Sequence, residues 1–443
     1  MYRTDSRKVK KGDIFVALRG ISSDGHDYIE SAIKNGASKI VCEEGNYEVE
    51  TIIVDDTRKY IEKALYEENK EIFDNMKIIG ITGTNGKTTI AYFLYQLLNK
   101  TNNKTAYLGT IGYYLDGFIK KTENTTPDIC DIYELLIDAY SKKCKYFVLE
   151  VSSQGLDYGR VNNIPFECSI YTNLTMEHLD FHKTMENYAL SKQKLFKQTK
   201  CAIINIDDEY KDYFLLDKNY NITYGYNSND YKLKSFKNGI LEYNDKKINT
   251  NLLGLYNAYN LLATIACLDY FKINNYEEYI LKLELPEGRF QRVKYNNSYI
   301  VVDYAHTPDS YEQVIKLCKE IAREVTVVFG CRGNRLKEKR PIMGNIASSY
   351  ADRIILTEDC PYDEDVNDII KDILKGVKKN NYEIITNRSL AIKKGMSYLK
   401  NNDILLILGK GHEDYIIENG VKKHYNDCEE VIKLIDEELV TRR

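Results

Sequence analysis

Tryptophan is missing from this 443-residue chain, although it holds 38 tyrosines and 13 phenylalanines. That skew, with abundant lysine, reflects base composition more than chemistry. Other absences exclude more. Lys plus Arg (62) does not exceed Asp plus Glu (66), leaving a net charge of −4. Without a basic excess, the phosphate backbone of nucleic acid is a poor partner. No apolar run approaches the roughly 18 residues of a membrane-spanning helix. The ten cysteines never form Cys-x-x-Cys, and the closest pair, Cys318 and Cys331, is 13 apart. Zinc ribbons and thioredoxin-type redox chemistry are thereby set aside. No signal-type segment is read at the start, so the cysteines are expected to be reduced core residues of a cytoplasmic protein. No Asn-Lys-x-Asp occurs, which argues against a nucleotide-switch GTPase.

What is present begins with ordinary globular composition, 43% hydrophobic and 29% charged. The length predicts two to four domains. The most informative stretch is Gly80-Ile-Thr-Gly-Thr-Asn-Gly-Lys-Thr-Thr89, between an apolar run at Lys77–Ile79 and an apolar-periodic segment, Ile90–Leu98. This spells strand, glycine turn, helix. Glycines let successive N–H groups converge on one anion, and a helix start adds its own free donors and positive dipole end. Lys87 offers a point charge for β/γ-phosphates and Thr88 a hydroxyl for Mg²⁺. The strict P-loop spacing would need glycine at Ile81, so the pattern is a variant of that motif.

Residues 1 to 76 read as a small α/β unit in which Ser6 and Arg7 could hold a sugar or phosphate, or simply form a turn salt bridge. Residues 77 to 285 continue the α/β pattern. Asn124-Thr-Thr-Pro-Asp128 is a hydroxyl-rich loop, and Pro127 holds Thr126 extended. Lys145–Val151 is a buried-type strand whose end places Glu150, Ser152 and Ser153 where open α/β sheets bind ligands; a carboxylate there suits Mg²⁺. Four possible ligands follow within six residues: Glu177, His178, Asp180 and His182. On the next helix, Tyr188, Lys192, Leu195 and Phe196 share one face, which puts a lysine on the apolar side. Asn257 and Asn260 share a face near another helix start. Residues 220 to 250 read as peripheral short strands.

Leu285-Pro-Glu-Gly-Arg289 reads as a linker. From 286 to 443 four strands each end in a polar loop: Asp303-Tyr-Ala-His306, Gly330-Cys-Arg-Gly-Asn-Arg335, Glu358-Asp-Cys-Pro-Tyr362 and Gly409-Lys-Gly-His-Glu413. The expected fold class is thus α/β with a central P-loop-type doubly wound sheet and a second, Rossmann-like sheet at the C-terminal end. Arg332, Arg335 and Lys410 could gather on an anion.

Together these motifs resemble the Mur ligases, ATP-dependent amide-bond ligases of cell-wall assembly, and among them the MurE type. The carriers are Gly83-Thr-Asn-Gly-Lys-Thr-Thr89, Thr125-Thr-Pro-Asp128, Glu150-Val-Ser-Ser153, Asn173–His182, Tyr188–Phe196, Asn257 with Asn260, Asp303–His306, Lys339-Arg-Pro341 and Gly409–Glu413. The resemblance implies three domains: 1–76 for the UDP-linked substrate, 77–285 for ATP, and 286–443 closing over the site. It implies that Gly83, Thr84, Asn85, Gly86, Lys87, Thr88 and Thr89 bind the nucleotide phosphates. Asn257, Asn260, Arg289 and Asp303 would hold the adenosine end. Thr88, Glu150, His178 and a carbamylated Lys192 would ligate Mg²⁺, in two sites, making Lys87, Lys192, His178 and Glu150 the catalytic set. Ser6, Thr125, Thr126, Ser152 and Arg160 would contact UDP-N-acetylmuramoyl-dipeptide. Asp359, Tyr362, Gly409 and Glu413 would face a free diamino acid. The implied reaction forms an acyl phosphate from the dipeptide's terminal carboxylate, then an amide, in a cytoplasmic monomer.

Three positions depart from the pattern. Diaminopimelate-adding members carry Asp-Asn-Pro-Arg where this chain has Asp359-Cys-Pro-Tyr362, and tyrosine cannot imitate arginine's bidentate fork. The acids Glu358, Asp359, Asp363, Glu364 and Asp365 could instead suit lysine's amine tail, or form a solvated loop. Gly-Gly-Asp-Arg appears as Arg332-Gly-Asn-Arg335. Glu177 replaces a common Asp. The competing readings are a paralogous or folylpolyglutamate-like ligase and a non-catalytic Mur-like partner; the latter tend to carry a zinc-ribbon cysteine set, missing here.

Overall fold

The computed structural model describes residues 1–20, 23–218, 220–418 and 421–441. Its first sheet runs Tyr2–Arg3, Ile14–Val16, Lys39–Cys42 and Glu50–Ile53, side by side in chain order and all parallel. Successive strand residues face opposite sides. Phe15, Ile40 and Cys42 pack with Ile29 and Ala32 of the helix Ile29–Lys34. Val16 and Val41 face the other way, into a core continuous with that of the next unit. Polar contacts reinforce this seam: Arg3 reaches Glu134 at 2.5 Å, and Arg58 donates to the Tyr158 carbonyl at 2.6 Å.

The second sheet has eleven strands. One of its inner strands, Lys77–Thr82, lies between Phe166–Tyr171 and Tyr146–Glu150, all parallel. Such strands are covered on both faces and read as continuous apolar runs. Accordingly Ile78 enters one core with the helices Ile129–Ser141 and Met185–Phe196, while Ile79 and Ile81 enter another with Lys87–Lys100 and Leu255–Tyr270. The residues 220 to 250 extend one edge: Tyr220–Gly225 and Tyr231–Lys237 add in parallel, then Ile240–Tyr243 and Lys246–Asn249 as an antiparallel meander.

The third sheet has the order Gln291–Tyr295, Ser298–Asp303, Ile404–Leu408, Val325–Phe329, Arg353–Leu356, Tyr382–Ile384. The sequence reading found its four central strands and missed both edges. Gln291–Tyr295 and Tyr382–Ile384 have no buried residue, so neither carries the apolar run that betrays a central strand. The central strands split their residues between two cores, Val301, Val327 and Leu406 on one side and Ile300, Val328 and Leu405 on the other. In the second and third sheets the parallel strands deliver their loops to one rim, where the functional residues collect. Among the described residues no helix is long and apolar enough to cross a membrane.

Candidate active site

The loop after Lys77–Thr82 is held by its neighbours rather than by itself. Asn173 accepts from the Thr84 backbone N–H through its carbonyl (2.8 Å) and from that of Asn85 through its side chain (3.0 Å). Glycine is obligatory twice. A Cβ on Gly83, at φ +146°, would lie 1.8 Å from Thr172 Oγ1, and one on Gly86, at φ +88°, 2.5 Å from Asn260 Oδ1. Lys87 opens the helix Lys87–Lys100 and folds back, donating to the carbonyls of Gly83 and Thr84, both at 2.9 Å. Among the described residues no carboxylate forms an ion pair with it. Burial pushes its ammonium down to about 8.

Beneath Lys87 lies Glu150, fully buried. Its Oε2 accepts from Thr88 Oγ1 at 2.9 Å and Thr110 Oγ1 at 3.1 Å; its Oε1 accepts from the Thr110 N–H at 2.9 Å and Tyr107 Oη at 2.5 Å. Gly109 leaves room for this carboxylate, since a Cβ there would sit 2.2 Å from Oε1. Sequence reasoning missed Tyr107 and Thr110. The strand Thr105–Gly109 ends there, and a Gly-Thr pair at a strand's carboxyl end was the available signal.

Lys192 is 1% exposed, 4.6 Å above the Tyr188 ring, and donates to the Gly83 carbonyl at 2.9 Å. Burial, then the nearby Lys87 charge, hold its ammonium well below the usual lysine range. The side chain does not run out to solvent: this lysine points into the molecule at the phosphate loop. His178, at φ +56°, is pushed down to about 3 by burial and by Lys192 and Lys87, so its imidazole is neutral. Its three candidate neighbours are otherwise engaged. Glu177 pairs with Lys339 at 3.1 Å, Asp180 approaches Arg335 at 3.8 Å, and His182 meets Ser153 Oγ at 2.8 Å. Among the described residues no three His, Cys, Asp or Glu side chains form a ready-made metal cluster. Thr88, Glu150, His178 and Lys192 could act as a donor set only with the threonine hydroxyl counted and the lysine converted to an anion.

Two cavities meet at this loop. One, of about 420 Å³, is lined by Asn85, Gly86, Thr89, Asn257, Asn260, Arg289 and Asp303, with Tyr256 and Tyr259 on its walls. The other, about 190 Å³, is lined by Thr84, Lys87, Thr88, Thr125 and His178 from the central unit and by Arg332, Arg335, Lys339, Asp359 and Gly409 from the C-terminal one. They share Asn85, Gly86, Arg289, Tyr304 and His306. The C-terminal unit touches the phosphate loop directly: Asn85 Nδ2 donates to Asp309 at 3.1 Å, Arg289 reaches Thr88 Oγ1 at 3.4 Å, and Lys339 reaches Glu177. Asp303 fixes this approach by accepting from the N–H groups of Phe290 and Ala305, both at 2.7 Å.

Three family models cover the chain: the Mur ligase family catalytic domain over residues 1–80, the Mur ligase middle domain over 81–268, and the Mur ligase glutamate ligase domain over 288–411. The chain belongs to the Mur ligase family. It is 40% identical to UDP-N-acetylmuramoyl-L-alanyl-D-glutamate–2,6-diaminopimelate ligase 1 of Clostridium acetobutylicum, over 98% of this chain and 94% of that one. The like-named ligase of Aquifex aeolicus is 39% identical over 97% and 92%. A solved structure of a ligase of that name is 31% identical, with a TM-score of 0.68 and coverage of 99% and 94%. The MurF ligase of Thermotoga maritima, solved with ADP, matches at a TM-score of 0.72 over 100% and 98% but 20% identity, a likeness of fold alone.

The remaining Mur-type positions divide. Thr125 shares a hydroxyl contact with Thr110 at 3.0 Å and lines the smaller cavity. Thr126 and Ser152 bond to each other at 3.2 Å, Ser152 caps the helix Ser153–Asp157, and Arg160 donates to the Thr126 carbonyl at 2.8 Å. These three shape the loop that presents Thr125. Ser6 lies on the first unit's rim, where Thr4 meets Asp128 at 2.8 Å, so that rim faces the same loop. Arg7 is spent on Asp5, the plain turn salt bridge. In the C-terminal loops the five acids do not form one pocket. Glu364 is held by Arg340, Asp363 by Asn334, and Asp365 caps the helix Val366–Leu374. Only Asp359 of the five lines the crevice. Lys410 also departs from expectation: fully buried, it donates to the Tyr415 carbonyl and sits 3.7 Å from Asp359 and Glu413, so it organises the wall instead of joining Arg332 and Arg335 in the crevice.

Proposed function

We propose that this Mur ligase joins a free diamino acid to UDP-N-acetylmuramoyl-L-alanyl-D-glutamate, using ATP and passing through an acyl phosphate. One observation carries the reading: a single crevice holds the unpaired cation Lys87 on one wall and the Arg332, Asp359 and Gly409 loops of the C-terminal unit on the other. The names of the relatives agree with such a substrate pair. In this reading 1–76 holds the uridine end, with Ser6 near it, 77–285 holds ATP, and 286–443 brings the amine. A monomeric, cytoplasmic enzyme fits this scheme.

The larger cavity takes the nucleoside, with Asn257 and Asn260 toward the base and Arg289 and Asp303 toward the ribose. The loop N–H groups and Lys87 hold the phosphates. Thr88, Glu150 and neutral His178 are oxygen and nitrogen donors of the kind that holds Mg²⁺. Bound there, Mg²⁺ would supply positive charge to offset the negative charge that grows in phosphoryl transfer. Lys192 fits a carbamate for a stated reason. Burial holds its ammonium well below the usual lysine range, which favours the free amine that adds CO₂ and becomes the missing anion. Thr125 and its supporting Thr126, Ser152 and Arg160 place the dipeptide's carboxylate against the γ-phosphorus, and in-line attack displaces ADP. Lys87 follows the transferring phosphoryl group with its positive charge. The amine of the diamino acid, aligned by Asp359 and Gly409 with Glu413 behind them and Tyr362 outside the crevice lining, then attacks the acyl carbon and expels phosphate. The contacts from Asn85, Arg289 and Lys339 across the crevice keep water from the acyl phosphate in the interval.

Phosphate release from ATP, measured with the UDP-dipeptide and a panel of amino acids, tests the proposal. Release that depends on both the UDP-dipeptide and a diamino acid is expected. Absence of release with every amine would refute it.

A further inference from the structure

Two loops of the C-terminal unit form the amine-facing wall, and they are physically joined. The Gly333 N–H donates to the Cys360 carbonyl at 3.0 Å, and a Cβ on Gly333 would lie 1.7 Å from the Pro361 oxygen. Arg332 enters the crevice at this seam, whereas Tyr362, in the left-handed region at φ +54°, is absent from the crevice lining. Arg332 Nη2 is fixed by Glu413 Oε2 at 2.7 Å and Tyr415 Oη at 3.1 Å. Its Nε is buried without a hydrogen-bond partner. Beside it, Asp359 is 3% exposed and its Oδ1 likewise has no hydrogen-bond partner. An orphaned buried donor and an orphaned buried acceptor each cost free energy unless a ligand satisfies them.

The charges that face this spot are Arg332 and Lys410 against Asp359 and Glu413, with Arg335 at the rim near Asp180. Two cations and two anions sum to zero. Such a pocket matches a group that is itself a zwitterion. A lone ammonium would gain Asp359 but would add a net positive charge and bring no carboxylate to Arg332.

We propose that Arg332 is a specificity-determining residue: its guanidinium grips the carboxylate of an amino-acid head at the far end of the amine donor while Asp359 accepts from that head's ammonium. The donor so selected carries a second carboxylate, as 2,6-diaminopimelate does and lysine does not. Arg332 thus supplies, from the adjoining loop, the bidentate fork that Tyr362 lacks. The assignment rests on the ligase reading above and narrows it.

The test compares diaminopimelate and lysine as donors for the wild type, Arg332→Gln and Arg332→Lys. It also measures exchange between ATP's β,γ-bridging oxygen and the non-bridging oxygens of its β-phosphate in the presence of the UDP-dipeptide without any amine. The wild type is expected to prefer diaminopimelate. Arg332→Gln should raise the KM for diaminopimelate about 10- to 100-fold, the worth of a lost charge-assisted pair. Its KM for lysine should change by less than about 3-fold, and its oxygen exchange should be unchanged. Arg332→Lys, which keeps the charge without the planar fork, should fall between. An equal effect on both donors, an unchanged KM for diaminopimelate, or a wild type that prefers lysine would overturn the assignment. Missing oxygen exchange in the wild type would instead remove the acyl-phosphate reading on which it stands.

Discussion

The central and C-terminal units treat buried positive charge in opposite ways. In the C-terminal unit, Arg388 is 1% exposed and forks onto both oxygens of Asp427, at 2.7 and 2.8 Å. Arg340, also 1% exposed, forks onto Glu364 at 2.8 and 2.9 Å and reaches Asp372 at 3.1 Å. In the central unit, among the described residues, Lys87 and Lys192 donate to carbonyl oxygens and pair with no carboxylate. A paired buried charge is part of the scaffold, and removing one partner strands the other. An unpaired one is kept in spite of its cost, and its partner must arrive from outside. The contrast therefore separates residues that hold the fold from residues that, in the proposed reading, await phosphate.

The widest break in that contrast is expected at Lys87. Replacing it by Ala should lower kcat by about 10³-fold or more, because the charge acts on the transferring phosphoryl group. Stability should move the other way. Its ammonium lies at about 8, below the usual 10.5, so its burial penalty is fully present below pH 8 and fades as pH rises toward 10.5. Lys87→Met should thus be more stable than the wild type at pH 7, by on the order of 1–2 kcal/mol, and no more stable above pH 10.5, by denaturation at the two pH values. Arg388→Ala should do the reverse, destabilising the C-terminal unit by about 3–5 kcal/mol because Asp427 is left buried and alone, as read by hydrogen exchange across the strand Ile404–Leu408. Lys192→Ala should cost about 10²-fold in kcat, with wild-type activity falling when bicarbonate and CO₂ are removed; insensitivity to both would remove the carbamate. The smallest effect is expected at Tyr107. Tyr107→Phe deletes one of four donors to Glu150, and should raise the Mn²⁺ concentration that half-saturates the enzyme–ADP complex about 3- to 10-fold, by paramagnetic resonance.

Much of this was legible in the sequence, for reasons the contrast explains. Strands buried on both faces announce themselves as apolar runs, so Lys77–Thr82, Tyr146–Glu150 and Val325–Phe329 were found with their loops. Lys192 stood out because a lysine on an apolar helical face breaks its own pattern. The edge strands Gln291–Tyr295 and Tyr382–Ile384 stayed hidden because they carry no such run. Neutral pairing hid the rest. Nothing local links Arg388 to Asp427 across 39 positions, or Lys339 to Glu177 across 162. Nor did anything local say that Arg332 and Asp359 share one wall while Asp363, Glu364 and Asp365 are spent elsewhere. Spacing identifies a motif, but which of its charges remain unspent is decided by distant partners.

All ten cysteines are free and buried, and nine are spread through the separate cores: Cys42 in the first sheet, Cys130 and Cys144 on one face of the central sheet, Cys168, Cys201 and Cys267 on the other, Cys318 and Cys331, then Cys428, on the two faces of the third; the tenth, Cys360, is buried in a loop beside Lys410. A thiol reagent can modify each only when its own core opens. The chain thus carries a built-in set of clocks, and mass-resolved alkylation would time the breathing of each layer separately, without a label being introduced.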